Sequence, residues 1–326
     1  MGNSNSQIDF EYGVVSNDYK PVQKFKDARL GDIILLNNLK SGKQIYMREK
    51  SIPNPDNCKK TIDRALSYLS LNHLNLGKIH GIAAADTNLK SNNKPKLLIY
   101  FDYIANSLQQ VLDERRDQLP NKSSSSRKTA KFFSEDELYQ ILCQMVDVLE
   151  YLQQNSISHG EIRTETCFVP KQGIFMIFNR KLLYDDTPAF SLAKGGDQSI
   201  FLSPVAFDAI KKKKDEPVED KYKADVFSLG MLILECATLK PSSLIYDYNN
   251  FSINLTLLSN RLLEVKERYP KAFYNLLRDM LRLEEDQRPD FIRIKQKLVQ
   301  EGRFEQFILS LEAVLFEKIT CLLISK

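Results

Sequence analysis

The chain has 326 residues, of which 43% are hydrophobic and 27% are charged, and its net charge is +4. This balance is typical of a globular protein with a sizeable core, and so small a positive charge does not predict nucleic acid as a partner. The five cysteines lie far apart and lack zinc-ligand spacing, which favours a reducing, intracellular and cytoplasmic location. We also expect no signal peptide and no transmembrane segment, since the sequence contains no apolar stretch of the required length.

The first residues carry a candidate targeting signal. Met-Gly-Asn-Ser-Asn-Ser fits the pattern for N-myristoylation at Gly2, although an ordinary polar start explains it equally well. One myristoyl chain supports only weak membrane association, so stable anchoring would need a second signal. Gly2 is therefore a lipidation candidate, and residues 1–20 are predicted to be a flexible N-terminus.

Short apolar runs then predict strands and one helix. Residues 33–36, 45–47 and 97–101 are rich in aliphatic and aromatic side chains, as buried strands are. Residues 61–71 repeat apolar side chains at helical spacing. The first third of the chain is therefore predicted to form a small sheet with one helix.

Helical patterns dominate from residue 107 onward. The predicted helices cover residues 108–116, 134–153, 224–237, 271–283 and 291–299. Ser134 and Glu137 have the spacing of a capping box, and residues 224–237 are apolar on nearly every side, as a central helix would be. The tail from Arg303 continues in helical register, and the polar loop 118–131 precedes the capped helix. These last two segments are the predicted partner surfaces.

Five short motifs occur in a fixed order along the chain. They are Leu71–Asn75 (LNHLN), His159–Thr166 (HGEIRTET), Leu202–Val205 (LSPV), Asp225–Gly230 (DVFSLG) and Glu285–Pro289 (EDQRP). In this order they resemble the L-x-H-P-N, H-R-D-L-x-x-x-N, A-P-E, D-V-W-S-L-G and D-x-x-x-R-P motifs of the protein kinase family. The resemblance covers roughly residues 25–300, and an ordered set of motifs is more specific than any single one.

The resemblance implies an α+β fold of two lobes. A small N-lobe with an antiparallel sheet and one main helix would be followed by a larger, mostly helical C-lobe. The implied boundaries are a flexible N-terminus at 1–20, an N-lobe at 21–104, a C-lobe at 105–302 and a C-terminal helical extension at 303–326.

The resemblance also shows which phosphate-binding positions are changed. The glycine-rich loop falls on residues 26–31 and keeps only Gly31, while the phosphate-binding lysine is replaced by Arg48. Its helix glutamate becomes Arg64, and two cations there would repel each other. If the register differs by one residue, Asp63 pairs with Arg48 instead.

The metal-binding positions are changed as well. The aspartate of D-F-G falls on Asn179, followed by two cationic residues, and the catalytic-loop asparagine becomes Thr166. The base position holds Glu161, a carboxylate one methylene longer than aspartate. We expect no intact catalytic set, no metal site, and weak or absent binding of ATP and Mg²⁺.

Other family positions are structural. His159, Asp225, Gly230 and Arg288 match residues that hold the larger lobe together in the family. The glutamate of A-P-E is replaced by Val205, which deprives Arg288 of its usual partner. The segment 184–201 is therefore expected to be less firmly tied, or to be packed by its own apolar side chains.

These changes lead to the expectation of a pseudokinase, a non-catalytic scaffold or allosteric protein that binds protein partners. One alternative is an atypical protein kinase with residual phosphotransfer that uses Glu161 as its base. Another is a metal-independent nucleotide sensor that uses Arg48. The vestigial nucleotide pocket comprises Gly31, Phe101, Asp102, Tyr103 and Ile104.

Overall fold

A computed structural model describes residues 8–27, 30–52, 58–86, 94–103, 106–119, 132–169, 173–178, 183 and 189–309. Backbone packing divides the chain into two compact units. The first comprises Met1–Ala105 and Ile177–Asp186, and the second comprises Asn106–Met176 and Thr187–Lys326.

The first unit is built on one antiparallel sheet of six strands. Several strands in the middle of this sheet contain continuous apolar runs, and most of these side chains are buried. The strands follow the spatial order β1-β5-β6-β4-β3-β2. They are β1 (Ile8–Tyr12), β2 (Tyr19–Asp27), β3 (Gly31–Asn38), β4 (Gln44–Ser51), β5 (Ile79–Ala85) and β6 (Lys96–Phe101). Helix α1 (Cys58–Leu69) adds the buried side chains of Ala65 and Tyr68.

The predicted flexible N-terminus is partly wrong, since strand β1 lies within it. Tyr12 of β1 pairs with Ile82 of β5, and β2 already begins at Tyr19. A Cβ atom on Gly81 would lie 2.3 Å from the Tyr12 carbonyl oxygen, so the glycine permits this close approach. Sequence patterns missed β1 because it is only five residues long and follows a polar start.

Residues 177 and 178 belong to the first unit, although the sequence analysis placed them within 105–302. The amide of Gly77 donates to the carbonyl of Ile177 at 2.8 Å, and the ring of Phe178 lies 5.9 Å from that of Phe101. These contacts tie the segment to the sheet unit.

The second unit is mostly helical. Its helices are α2 (Leu108–Asp117), α3 (Glu135–Gln154), α4 (Ala189–Lys194), α5 (Pro204–Lys211), α6 (Lys221–Thr238), α7 (Leu255–Arg268), α8 (Lys271–Met280) and α9 (Phe291–Gln300). Two short strands of two residues each, β7 (Tyr246–Asp247) and β8 (Ser252–Ile253), pair in antiparallel fashion. Together with the antiparallel sheet of the first unit, these helices confirm the predicted α+β, kinase-like fold class.

Helix α6 forms the centre of the second unit, as its apolar sequence predicts. Every residue from Asp225 to Thr238 is buried. The predicted capping box of α3 is also present: Ser134 N donates to Glu137 at 2.7 Å, and Glu137 N donates to the Ser134 hydroxyl at 3.2 Å. Both features follow from local sequence, which is why the patterns found them.

Three helices of the described residues were not predicted: α4, α5 and α7. Helix α5 follows Ser203, whose hydroxyl accepts from the amide of Ala206, and it has Pro204 at its first position. Helix α7 begins after Asn254, which caps the amide of Leu257. Both starts carry recognisable capping signals.

Residues 303–309 are helical, in agreement with the predicted register from Arg303. The remainder of that predicted extension lies outside the described residues. Within the described parts of the chain, none of the helices combines the length and the apolar character needed to cross a bilayer.

Candidate active site

The loop after α3 carries the predicted base position, and helix α6 anchors it. The Asp225 carboxylate accepts from the amide of His159 at 2.7 Å and from the amide of Gly160 at 2.8 Å. Gly160 has φ +76°, a conformation that glycine adopts without strain. The side chains of His159 and Glu161 are buried on either side of this turn. Two charge-assisted hydrogen bonds therefore fix the loop that carries Glu161.

The Glu161 carboxylate is paired with a neighbouring cation. Arg163 Nη2 lies 3.0 Å from Glu161 Oε1, and the two side chains are only 17% and 4% exposed. Burial of this degree strengthens their attraction. The sequence analysis assigned no role to Arg163, although its two-residue spacing from Glu161 in a turn was a usable signal.

Arg163 also reaches the segment that precedes α5. Its Nη1 donates to the Ser199 hydroxyl and lies 3.8 Å from Asp197 Oδ2. Ser199 in turn donates to Asp197 Oδ1 at 2.7 Å. The guanidinium thus joins Glu161 to residues 197–199.

Thr166 uses its hydroxyl to hold the loop together. It donates to the Glu161 carbonyl at 2.8 Å, and it accepts from the amide of Arg163 at 3.1 Å. A divalent metal would compete for an oxygen that is already engaged in this turn, and a neutral hydroxyl is a weak ligand for Mg²⁺. Thr166 therefore fits a metal poorly.

Arg48 lies in the middle of the sheet of the first unit. Strand β4 places it between Ile33 of β3 and Ile99 of β6, and only 6% of the residue is exposed. Asp63 is exposed on α1. Only the backbone of Arg64 is described.

The end of β2, which the resemblance assigns to the glycine-rich loop, carries a carboxylate that accepts two hydrogen bonds. Asp27 accepts from the amide of Leu30 at 3.0 Å and from the Tyr103 hydroxyl at 2.8 Å. Gly31 has φ +73° and turns the chain into β3. The buried Asp27 carboxylate places negative charge where the family binds phosphates.

Tyr103 belongs to an aromatic cluster, which we define as Phe25, Tyr46 and Tyr103. The ring centroids of Tyr46 and Tyr103 are 5.1 Å apart, and those of Phe25 and Tyr103 are 5.6 Å apart. Tyr46 stands where the family motif V-A-I-K has alanine. Large rings therefore occupy this face of the sheet.

Two other residues of the predicted nucleotide pocket, Phe101 and Asp102, lie in strand β6 and directly after it. Phe101 is fully buried in β6. Asp102 Oδ1 lies 2.7 Å from His80 Nε2, and this hydrogen bond is the main cause that lowers the pKa of Asp102. The sequence analysis gave His80 no role; no local spacing connects it with Asp102.

The predicted structural residues lie in the second unit. A Cβ atom on Gly230 would come within 2.9 Å of Leu281 Cδ2, so glycine allows α6 to pack closely there. Arg288 is fully buried, and its guanidinium donates to three backbone carbonyls, those of Arg282, Leu283 and Lys223.

The segment before α5 is packed by its own apolar side chains. Phe190, Ile200 and Phe201 are all buried. Gly2, Ile104 and Asn179 lie outside the described residues.

Comparisons with known proteins identify the family. The family model for protein tyrosine and serine/threonine kinases matches residues 39–298, so the chain belongs to this family. It is 25% identical over 188 residues to serine/threonine-protein kinase Nek3 of Oryza sativa subsp. japonica, covering 57% of this chain and 29% of that protein. It is 25% identical over 162 residues to serine/threonine-protein kinase Nek4 of Mus musculus, covering 48% of this chain and 18% of that protein. The matched regions thus span under a third of these relatives.

The expectation that the chain is not an enzyme is contradicted by these comparisons. The matching family is one of kinases, and the relatives are named serine/threonine kinases, which points to an enzyme. That expectation rested on the combined replacement of the phosphate-binding and metal-binding positions. It gave too little weight to the carboxylate retained at Glu161.

Proposed function

We propose that this chain is an atypical protein kinase that transfers a phosphoryl group from a nucleoside triphosphate to a serine or threonine hydroxyl. The observation that carries the proposal is the buried Glu161 carboxylate, held in the loop by Asp225 and paired with Arg163 at 3.0 Å. A base and a cation next to each other supply two of the elements that phosphoryl transfer needs.

The chemistry assigned to these residues is limited to one step. Glu161 accepts the proton of the attacking hydroxyl, whose oxygen forms a bond to the γ-phosphorus. The bond between that phosphorus and the oxygen of the leaving nucleoside diphosphate breaks, and the electron pair stays on the leaving oxygen. Arg163 stabilises the negative charge on the transferred group.

We also propose that nucleotide and Mg²⁺ bind weakly. The engaged hydroxyl of Thr166 is a poor metal ligand, and the Asp27 carboxylate repels phosphate. Arg48 keeps a positive charge at the lysine position but not the compact ammonium group. Slow transfer with a high KM for the nucleotide is the expected behaviour.

The test is transfer of labelled γ-phosphate to mixed serine and threonine peptides. Glu161→Gln removes the proton acceptor with little change in volume, so kcat should fall by about 10²-fold or more. Glu114→Gln, an exposed change on α2, is the matched control and should leave the rate unchanged. Equal rates for the wild type and Glu161→Gln, or no transfer by the wild type at any nucleotide concentration, would contradict the proposal.

A second proposal is a scaffold or allosteric role in addition to phosphotransfer. At the end of helical residues 303–309, Phe304 and Phe307 are buried, whereas Ile308 and Leu309 are 48% and 65% exposed. Adjacent exposed apolar side chains are typical of a surface that binds protein. Replacing both by glutamate should abolish crosslinks from this helix to a co-purifying protein, while Glu305→Gln should not. Crosslinks that survive the double change would refute this surface.

A further inference from the structure

Arg288 is a buried cation that donates hydrogen bonds to neutral backbone oxygens among the described residues. The guanidinium is fully buried and donates to the carbonyls of Arg282, Leu283 and Lys223 at 2.7 to 3.2 Å. Burying a charge in this way is costly unless an opposite charge lies near it. The family carboxylate at the second position of α5 is replaced here by Val205.

Glu219 provides negative charge near Arg288 from a different part of the chain. Burial lowers the pKa of Arg288, and among the groups that oppose this shift the Glu219 carboxylate acts most strongly, ahead of Glu285. Glu219 lies in the loop between α5 and α6, fourteen positions after Val205 along the chain. Burial also raises the pKa of the Glu219 carboxyl, and its direct contact is the hydrogen bond with Ser203.

Glu219 is also hydrogen-bonded to the segment before α5. The Ser203 hydroxyl donates to Glu219 Oε2. The same hydroxyl accepts from the amide of Ala206 at 3.0 Å and so caps α5. One serine therefore connects the start of α5 with the Glu219 carboxylate.

We propose that Glu219 holds residues 199–203 in place through its hydrogen bond with Ser203, and that it takes the place of the carboxylate missing at Val205. Ser199, at the other end of this segment, accepts from Arg163, which is paired with Glu161. Glu219 is thus a positioning residue for the Arg163–Glu161 pair. This catalytic consequence rests on the proposed function, whereas the holding of the segment does not.

Three variants test the role of Glu219. Glu219→Gln keeps the shape and removes the charge. Glu216→Gln, an exposed change in the same loop, is the matched control. The double variant Glu219→Gln with Val205→Glu returns a carboxylate to the family position.

The first measurement is hydrogen exchange of the full chain. In Glu219→Gln, amides of residues 199–211 should exchange about tenfold faster or more, with α3 and α9 unchanged. The control should behave as the wild type, and the double variant should recover protection. Unchanged exchange in Glu219→Gln, or equal acceleration throughout the second unit, would overturn the proposal.

Folding of the double variant decides the outcome if Glu219→Gln does not fold. Recovery of a folded chain by Val205→Glu would support the replacement of one carboxylate by the other. A double variant that remains unfolded, or a folded one without restored protection, would contradict it.

The second measurement is kinetic. Glu219→Gln should raise the KM for the peptide acceptor by about three- to tenfold while that for the nucleotide stays constant, because the changed segment contacts Arg163. Equal changes in both constants would reject a positioning role. If the wild type transfers no phosphate, the proposed function fails, and the hydrogen-exchange result still decides whether Glu219 holds the segment.

Discussion

The loop that carries Glu161 and the end of strand β2, which the resemblance assigns to the glycine-rich loop, differ in the hydrogen bonds that their carboxylates accept. In the second unit, Asp225 accepts two backbone amides and thereby fixes the loop that bears the carboxylate. In the first unit, Asp27 accepts from Tyr103 at the position where the family has an open, glycine-rich backbone. In one region a carboxylate anchors the backbone, and in the other a carboxylate and large rings occupy the positions that the resemblance assigns to the nucleotide.

The comparison indicates that the residues that anchor the Glu161 loop and those at the predicted nucleotide positions can change independently of each other. Asp225 bonds to the backbone, so the sequence of the loop can vary while its shape persists. The aromatic cluster and Asp27 lie in or next to a sheet that keeps all six of its described strands. We therefore propose that nucleotide affinity can change in this chain without loss of the fold.

Removal of the loop anchor should have the greatest effect on stability. Asp225→Ala leaves the buried amide of His159 and the partly buried amide of Gly160 without their carboxylate acceptor, and we expect a loss of about 3 kcal/mol in the free energy of unfolding. Urea denaturation measures it. Asp208→Ala, which removes only an exposed contact with Lys212, should cost less than about 0.5 kcal/mol. A loss below about 1 kcal/mol for Asp225→Ala would show that the loop is held by other contacts.

Neutralising the glycine-loop carboxylate should improve nucleotide binding. Asp27→Asn keeps an acceptor for the amide of Leu30 and removes a charge from the phosphate side, so ATP affinity should rise about three- to tenfold. Asp32→Asn, an exposed change on β3, serves as the control in a fluorescence titration. Equal affinities in Asp27→Asn and the wild type would mean that this carboxylate does not limit binding.

The hydrogen bond between His80 and Asp102, at the end of β6, should show a smaller, pH-dependent effect. The hydrogen bond from His80 lowers the pKa of Asp102, so the ionised carboxylate is favoured in the folded state. Its contribution is therefore complete above the ordinary pKa of 3.8 and is lost as the pH falls through the lower folded value.

Asp102→Asn removes this contribution. The difference in unfolding free energy between wild type and variant should shrink as the pH is lowered from 5 to 3, which acid-range urea denaturation measures. A difference that stays constant over that range would show that ionisation of Asp102 does not contribute.

The sequence predicted those features that depend on neighbouring residues. The capping box of Ser134 and the all-apolar α6 were found because the signal lies within one helix. Strand β1 was missed because its stability comes from pairing with β5, which lies about seventy residues away.

The candidate site shows the same division. Motif order placed Glu161 and Asp225, but it could not reveal that Arg163 pairs with Glu161 or that Glu219 lies near Arg288. Glu219 occurs in a charged loop and matches no motif, and the residues on which it acts, Ser203 and Arg288, come from two other segments. Only the packing of those segments brings the charges together.

The most direct measurement is calorimetric titration of the full chain with ATP, in the presence and absence of Mg²⁺. We predict weak but measurable binding of ATP. Mg²⁺ should increase the affinity by less than about tenfold, because Thr166 is a poor ligand for the metal. Tight binding that requires Mg²⁺ would contradict the assignment of Thr166 and Asp27. No binding of ATP under either condition would contradict the proposed phosphotransfer.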